Sequence, residues 1–251
     1  MPATPAWPPS SLPRLFVDQP LSEGLALTLD GPPAHYLGTV LRLGNGAEVK
    51  LFDNRTGEWL ARIEETSRKR VLLALTRHLR PREEGPDLWL LFAPLKRATT
   101  DWLVEKATEL GAAGLQPVLT QRTVADRVNL DRLRAVTIEA AEQCDRTALP
   151  AIAEPVKLSA LLKSWDSARP LLFADETGGA PLTEVARASP AAILIGPEGG
   201  FTPEEREQIR ATHGASGVAL GPRILRAETA ALAAISLWMA AAGDWGRPPR
   251  T

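Results

Sequence analysis

The stretch "AAILIGPEGGFTPEE", Ala191 to Glu205, constrains this chain more than any other. Its first five residues are apolar without a break, which suits a strand covered on both faces rather than one. The strand stops at Gly196-Pro197-Glu198-Gly199-Gly200, and Thr202-Pro203-Glu204-Glu205 then spells a helix start. Thr is the N-cap, Pro occupies the first turn, and Glu stands three residues after the cap. A strand, a glycine loop and a helix N-terminus in that order belong to an open α/β sheet. Ligands there bind beyond the carboxyl ends of the strands. GPEGG is neither the GxGxxG dinucleotide pattern nor a GK[ST] phosphate loop, so spacing alone leaves a ligand loop and a plain tight turn both open.

A second strand ends in the same way. "GVALG" (Gly217 to Gly221) exits through Gly221-Pro222, passes Arg223 and Arg226, and enters a helix near Glu228-Thr229. Two neighbouring strands ending in Gly-Pro loops favour a shared pocket. The closing helix, Ala230 to Ala242, is apolar nearly all round, so it is expected to be buried in the core or in an oligomer interface.

From Leu88 onward strands alternate with helices. The strands are "LWLLFAP" (Leu88 to Pro94), "LQPVL" and "PLLFA" (Pro170 to Ala174); the helices are "TTDWLVEKATELG", closing at Gly111, and "NLDRLRAVTIEAAEQCDR". Leu133, Val136 and Ala140 share one face of the latter. The pattern implies a parallel sheet. Upstream the rhythm is that of short strands, "AEVKLFD", "EWLARIE" and "RVLLALT", with "HYLGTVLRLG" showing helical spacing at Tyr36, Val40 and Leu43. Such a set suits a small β-barrel, with "RPREEGPD" (Arg80 to Asp87) as the linker and residues 1–13 a Pro-rich tail. Net charge is −1, yet residues 1–82 hold 11 Lys/Arg against 8 Asp/Glu, and 83–251 hold 18 against 22. The basic first part, with "SRKR" at Ser67 to Arg70, can track a phosphate backbone or simply face water. One cysteine, Cys144, excludes an internal disulfide, and the three histidines are scattered, so no metal is expected. No apolar run reaches membrane-spanning length and no signal peptide is legible; a cytoplasmic location is expected.

The motifs "LIGPEGG" and "LGPRILRAETA", together with "VEKATELG" (Val104 to Gly111), "EAAEQCDR" (Glu139 to Arg146) and "HYLGTVLRLGNGAEVKLFD", resemble the SPOUT superfamily. More narrowly, they resemble the ribosomal RNA small subunit methyltransferase E family, over essentially everything after residue 13. The chain departs from that family at Asp145, where glycine usually precedes the arginine. The resemblance implies an α/β fold: a SPOUT-type parallel sheet with a C-terminal trefoil knot (83–251), preceded by a PUA-like RNA-binding β-barrel (14–82). It implies a homodimer that uses S-adenosylmethionine to methylate N3 of a uridine in the decoding region of 16S rRNA, in the small ribosomal subunit.

On that resemblance the cofactor falls to Leu194, Gly196, Pro197, Gly199 and Gly200, and to Leu220, Gly221, Ile224 and Leu225. Neutral uracil N3 has no lone pair free to attack, so a group must take its proton. Glu198 and Arg226 are the candidates at the reacting centre, with water an alternative base, against helix capping for Glu198 and a Glu228 pair or an RNA phosphate for Arg226. Arg14, Arg122 and Arg146, with Gln143 beside the last, are candidates for RNA contact, against ordinary structural roles. "FADE" (Phe173 to Glu176) can supply a third wall of the pocket. Two other functions share these features: a SPOUT ribose 2′-O-methyltransferase acting on tRNA or rRNA, and a non-catalytic RNA-binding ribosome-assembly protein.

Overall fold

A computed structural model of the chain describes residues 12–67, 69–124, 127–187 and 189–247. Most of the expected tail, residues 1–11, and Arg68 of "SRKR" lie outside the described residues. Two compact units result. Among the described residues, one comprises those through Glu84 together with Glu142–Ala148; the other comprises those of Gly85–Ala141 and from Leu149 onward. The first unit thus takes in a short segment from the middle of the chain, which the linear reading placed in the second.

In the first unit, β1 (Arg14–Phe16), β2 (Ala26–Asp30), β3 (Glu48–Phe52), β4 (Glu58–Thr66) and β5 (Arg70–Arg80) form a sheet in the order β1-β3-β4-β5-β2. The three strands expected from sequence are β3, β4 and β5; β1 and β2 complete the sheet. Between β2 and β3 the chain makes α1 (Gly31–His35) and then a wider π-type turn, Tyr36–Val40, in which Leu41 N–H reaches back five residues to Tyr36 C=O at 2.9 Å. That wider turn shifts the helical phase. Ala34 and Leu37 are therefore buried, whereas Tyr36 and Val40 are exposed, contrary to the face expected from their spacing. At the β3–β4 turn the Asp53 carboxylate accepts bonds from the main-chain N–H groups of Leu21, Arg55, Thr56 and Gly57. Gly57 has φ 106°, and a Cβ there would lie 2.2 Å from Arg80 C=O, so no other residue fits.

The segment 142–148 is held by a buried charge cluster. Glu58, 3% exposed, pairs with Arg14 at 2.5 Å and with Arg80 at 2.9 Å. Arg14 also donates to Arg146 C=O at 2.5 Å and lies 3.9 Å over the Phe52 ring. Arg80 donates to Asp145 C=O at 2.7 Å, and Arg146 pairs with Glu83 at 3.1 Å. Asp145, the departure from the family pattern, has φ 62°, a left-handed conformation that glycine adopts without strain. Burial alone would push the Glu58 carboxyl up, but the hydrogen bonds and charges of Arg80 and Arg14 outweigh it and hold the group below its ordinary value.

The second unit contains β6 (Leu88–Phe92), α2 (Arg97–Glu109), β7 (Gly114–Leu119), α3 (Leu130–Gln143), β8 (Ala151–Ile152), β9 (Val156–Lys157) and α4 (Leu158–Lys163). It continues through β10 (Leu171–Ala174), β11 (Ala180–Pro181), α5 (Leu182–Val185), β12 (Ala191–Ile195), α6 (Pro203–Ala211), β13 (Ala215–Ala219) and α7 (Ala227–Ala241). The strands run parallel in the order β11-β13-β10-β12-β6-β7-β8, with β9 beside β7. Successive residues of β12 enter different cores. Ala191, Ile193 and Ile195 pack with Leu103 of α2, Val136 of α3 and Trp238 of α7; Ala192 and Leu194 pack with Leu158 of α4, Ile209 of α6 and Phe201 of the loop before α6. Both faces are therefore covered, which explains the unbroken apolar run. α2 ends before Gly111, at φ 98°, and α3 buries Leu133, Val136 and Ala140 but stops at Gln143, short of the expected Arg146. β13 begins two residues earlier than the sequence suggested, leaving Leu220 and Gly221 in the loop. α6 starts as the sequence predicts: Thr202 Oγ1 accepts from Glu205 N–H at 3.2 Å, and Glu205 Oε2 accepts from Thr202 N–H at 3.0 Å.

Two outcomes follow from these contacts. Glu58→Gln removes the buried carboxylate that Arg14 and Arg80 share, with the exposed Asp145 carboxylate still 3.6 Å from Arg14, and is expected to destabilise the first unit by about 3 kcal/mol, measured by denaturant unfolding. Because Glu58 titrates below its unfolded value, its contribution is present above the ordinary carboxyl pKa, about 4.3, and is lost as pH falls through the lower folded value. The Glu58→Gln deficit should therefore shrink on acidification below that pH. Thr202→Ala, which removes one half of the capping box, is expected to cost about 1 kcal/mol in the same measurement.

Candidate active site

Because the strands of the second unit are parallel, their carboxyl ends lie along one edge of the sheet. The strand order corrects one expectation: β12 and β13 are not neighbours, since β10 runs between them and pairs with both. Their two Gly-Pro loops therefore flank the exit of β10, which is Asp175-Glu176-Thr177, the end of the "FADE" run. Asp175 is buried; its Oδ1 accepts from Thr177 N–H and Oγ1–H, and its Oδ2 accepts from Arg210 at 2.5 Å. Burial would push this carboxyl up, but those Thr177 and Arg210 contacts hold it below its ordinary value. Glu176 is exposed and ion-paired to Arg206 of α6.

The glycines of the two loops are needed for different reasons. A Cβ on Gly196 would stand 3.0 Å from the buried Phe201 ring, so close packing within the chain explains that position. Gly200 (φ 68°) and Gly221 (φ 116°) hold left-handed conformations that disfavour a side chain, and Gly200 N–H closes a turn onto Pro197 C=O at 2.8 Å. Gly199 meets neither condition. Its φ lies outside the left-handed region, and a Cβ would make only ordinary contact, 3.4 Å, with Arg122 Cδ. The fold itself does not require glycine at 199. A bare main chain on this loop is what close approach by a ligand needs.

The remaining candidates fall into three groups. Leu194 is fully buried, with its side chain in the α4/α6 core, so only its main chain is available to a ligand. Pro197 is also buried, while Leu220 and Leu225 are half-buried against the other core and Ile224 is 88% exposed. Glu198 is exposed and does not cap α6, since Thr202 and Glu205 do so. Arg226 occupies the N-cap position of α7 without a side-chain cap bond. Neither Arg223 nor Arg226 makes a side-chain hydrogen bond or ion pair among the described residues, so the pair with Glu228 is not formed. These exposed groups, a carboxylate on one loop and a guanidinium on the other, are suited to proton acceptance and anion stabilisation.

The three RNA candidates separate. Arg14 and Arg146, each 9% exposed, have their guanidinium groups engaged in the charge cluster of the first unit, which corrects the expectation that they face RNA. Arg122 is exposed, and its Nη1 donates to Gly199 C=O at 2.6 Å. Glu205 was legible only as the cap partner of Thr202. Its other oxygen accepts from Gln121 N–H at 2.8 Å, across 84 residues, and no local pattern marks that bond.

Comparison with known proteins identifies the family. A family model described as an RNA methyltransferase domain matches residues 82–239, and one described as an RNA methyltransferase PUA domain matches residues 29–76. The chain is 31% identical over 229 residues to ribosomal RNA small subunit methyltransferase E of Rickettsia conorii, covering 89% of this chain and 93% of the relative. To the enzyme of the same name from Bacillus subtilis it is 26% identical, covering 89% and 94%. The crystal structure of ribosomal RNA small subunit methyltransferase E from Neisseria gonorrhoeae bound to S-adenosyl methionine is similar with a TM-score of 0.86 and 28% identity, over 94% of this chain and 100% of that one. A likeness that runs through both the PUA and the methyltransferase domains, at this identity and coverage, shows that the chain belongs to the ribosomal RNA small subunit methyltransferase E family.

Proposed function

We propose that this protein uses S-adenosylmethionine to methylate N3 of a uridine in the decoding region of 16S rRNA within the small ribosomal subunit. The observation that carries the reading is Gly199, a loop glycine that the chain's own packing and backbone conformation do not demand. The main chain of Leu194 and Gly196 to Gly200, with Leu220, Gly221, Ile224 and Leu225, would hold the cofactor, which supplies an activated methyl group. The protein must then orient the uracil and handle its proton. Glu198 takes the N3 proton onto its carboxylate, and Arg226 stabilises the negative charge left on the ring. No metal or covalent nucleophile is required, because the donor already carries its leaving group.

The rest of the reading draws on the family. The first unit is the RNA-recruiting domain, with Lys69 and Arg77 among its exposed cations. The loops around β12 and β13 carry the trefoil threading, and the protein acts as a homodimer. The face of α7 formed by Leu232, Ala233, Leu237 and Ala240 is half-buried or exposed and apolar, which suits association. No helix among the described residues is long and apolar enough to cross a membrane; a ribosomal substrate supports a cytoplasmic location.

Labelled S-adenosylmethionine and unmethylated small subunits should yield labelled N3-methyluridine in nucleoside mass spectrometry. Label on a ribose 2′-hydroxyl would transfer the protein to the ribose-methylating class, and absence of both binding and transfer would make it a non-catalytic RNA binder. Gly199→Ala should leave the melting temperature almost unchanged, because its Cβ meets only ordinary contact. Gly199→Leu should abolish calorimetric binding of the cofactor while the fold persists; undiminished affinity would disprove close approach at this glycine. Glu198→Gln should lower kcat by about 10²-fold or more with cofactor affinity unchanged.

A further inference from the structure

We propose that Arg122 is a positioning residue for cofactor binding, acting through the Gly199 carbonyl rather than on RNA. The inference rests on the reading that the Gly196–Gly200 loop holds the cofactor. β7 and β12 are not paired, because β6 runs between them. To reach the glycine loop, the segment after β7 must cross the end of β6, a span of two strand spacings or about 10 Å. No strand ladder carries it across. The bridge consists instead of two hydrogen bonds, Arg122 Nη1 to Gly199 C=O at 2.6 Å and Gln121 N–H to Glu205 Oε1 at 2.8 Å.

The segment is set up for this on its own side. Thr120 N–H donates to Thr123 Oγ1 at 2.9 Å and Thr123 N–H to Thr120 C=O at 3.2 Å, closing a turn with Gln121 and Arg122 at its tip. On the other side, Glu205 is buried and already fixed by the α6 cap, so the Gln121 bond anchors the tip to a rigid point. Arg122 then pins the peptide plane between Gly199 and Gly200, while Gly200 N–H is held by Pro197 C=O. With both ends of that peptide held, the bare Cα of Gly199 keeps one orientation. A loop free to rotate there would lose binding energy in ordering itself around a ligand.

The test uses the full chain and S-adenosylmethionine as the probe. Arg122→Met removes the donor and should weaken calorimetric affinity by about tenfold to hundredfold, the range for a charge-assisted hydrogen bond. KM for S-adenosylmethionine should rise in parallel, with KM for the small subunit nearly unchanged. Arg122→Lys keeps a donor of similar reach and should recover much of the affinity, which a purely structural loss would not predict at equal melting temperature. Unaltered cofactor affinity in Arg122→Met, or a rise confined to KM for the small subunit, overturns the proposal. Wild type and Gly199→Leu measured alongside separate the two levels. Wild type binding, Gly199→Leu failing and Arg122→Met binding normally sinks this inference alone. Wild type failing to bind, or Gly199→Leu binding as wild type does, removes the cofactor loop and this inference with it.

Discussion

The second unit depends on one constraint: a parallel sheet covered by helices on both faces has no wet side. Every residue of β12 is buried, and its side chains alternate between two apolar cores, one beneath α2, α3 and α7 and the other beneath α4 and α6. Polar side chains are thereby concentrated at the strand ends: Arg169 and Asp87 pair at the amino ends, and a second set stands at the carboxyl ends, where the chain leaves the sheet. There the loop glycines, Asp175, Glu176, Glu198 and Arg226 are found. The location of the candidate site follows from where such a sheet permits polar atoms.

Within that edge, a few carboxylates each do two tasks. Glu205 completes the cap of α6 with one oxygen and holds Gln121 with the other, so the helix N-terminus and the loop after β7 share one rigid acceptor. Asp175 gathers Thr177 and Arg210 in the same manner at the exit of β10. In the first unit Glu58 is the counterpart, joining Arg14 and Arg80, which in turn hold the carbonyls of Arg146 and Asp145. A buried carboxylate is tolerated only when its lone pairs are filled, and in each case at least one of the groups that fill them is distant in sequence. Removing one partner leaves an uncompensated charge, so these are the positions where the fold is least forgiving.

The arginines of this chain show how the same residue type divides by environment. Arg14 and Arg146 are enclosed by Glu58 and Glu83, and their role is to hold the 142–148 segment. Arg122 reaches a main-chain carbonyl on the glycine loop, and Arg223 and Arg226 stay exposed. From sequence all five were positive charges near motifs. Their separation into buried ion-paired, loop-bonded and exposed groups came from burial and partners, which depend on contacts spanning up to 132 residues.

Local patterns were enough for anything whose cause is local. The apolar run of β12, the capping box of α6, the terminal glycine of α2 and the buried stripe of α3 were all legible, since each depends on neighbours within a few residues. The π-type turn after α1 was not, because its longer hydrogen-bond reach changes which side chains face inward. Nor was the placement of β10 between β12 and β13, because strand order is decided by how helices pack across the sheet. The glycine motif established that the main chain bends tightly after β12. That Gly199 is unforced, and that Arg122 arrives from two strands away to hold it, were decided by the tertiary structure alone. Neither close approach nor its absence is written in the residues beside a glycine; it is set by which distant atoms come to stand there.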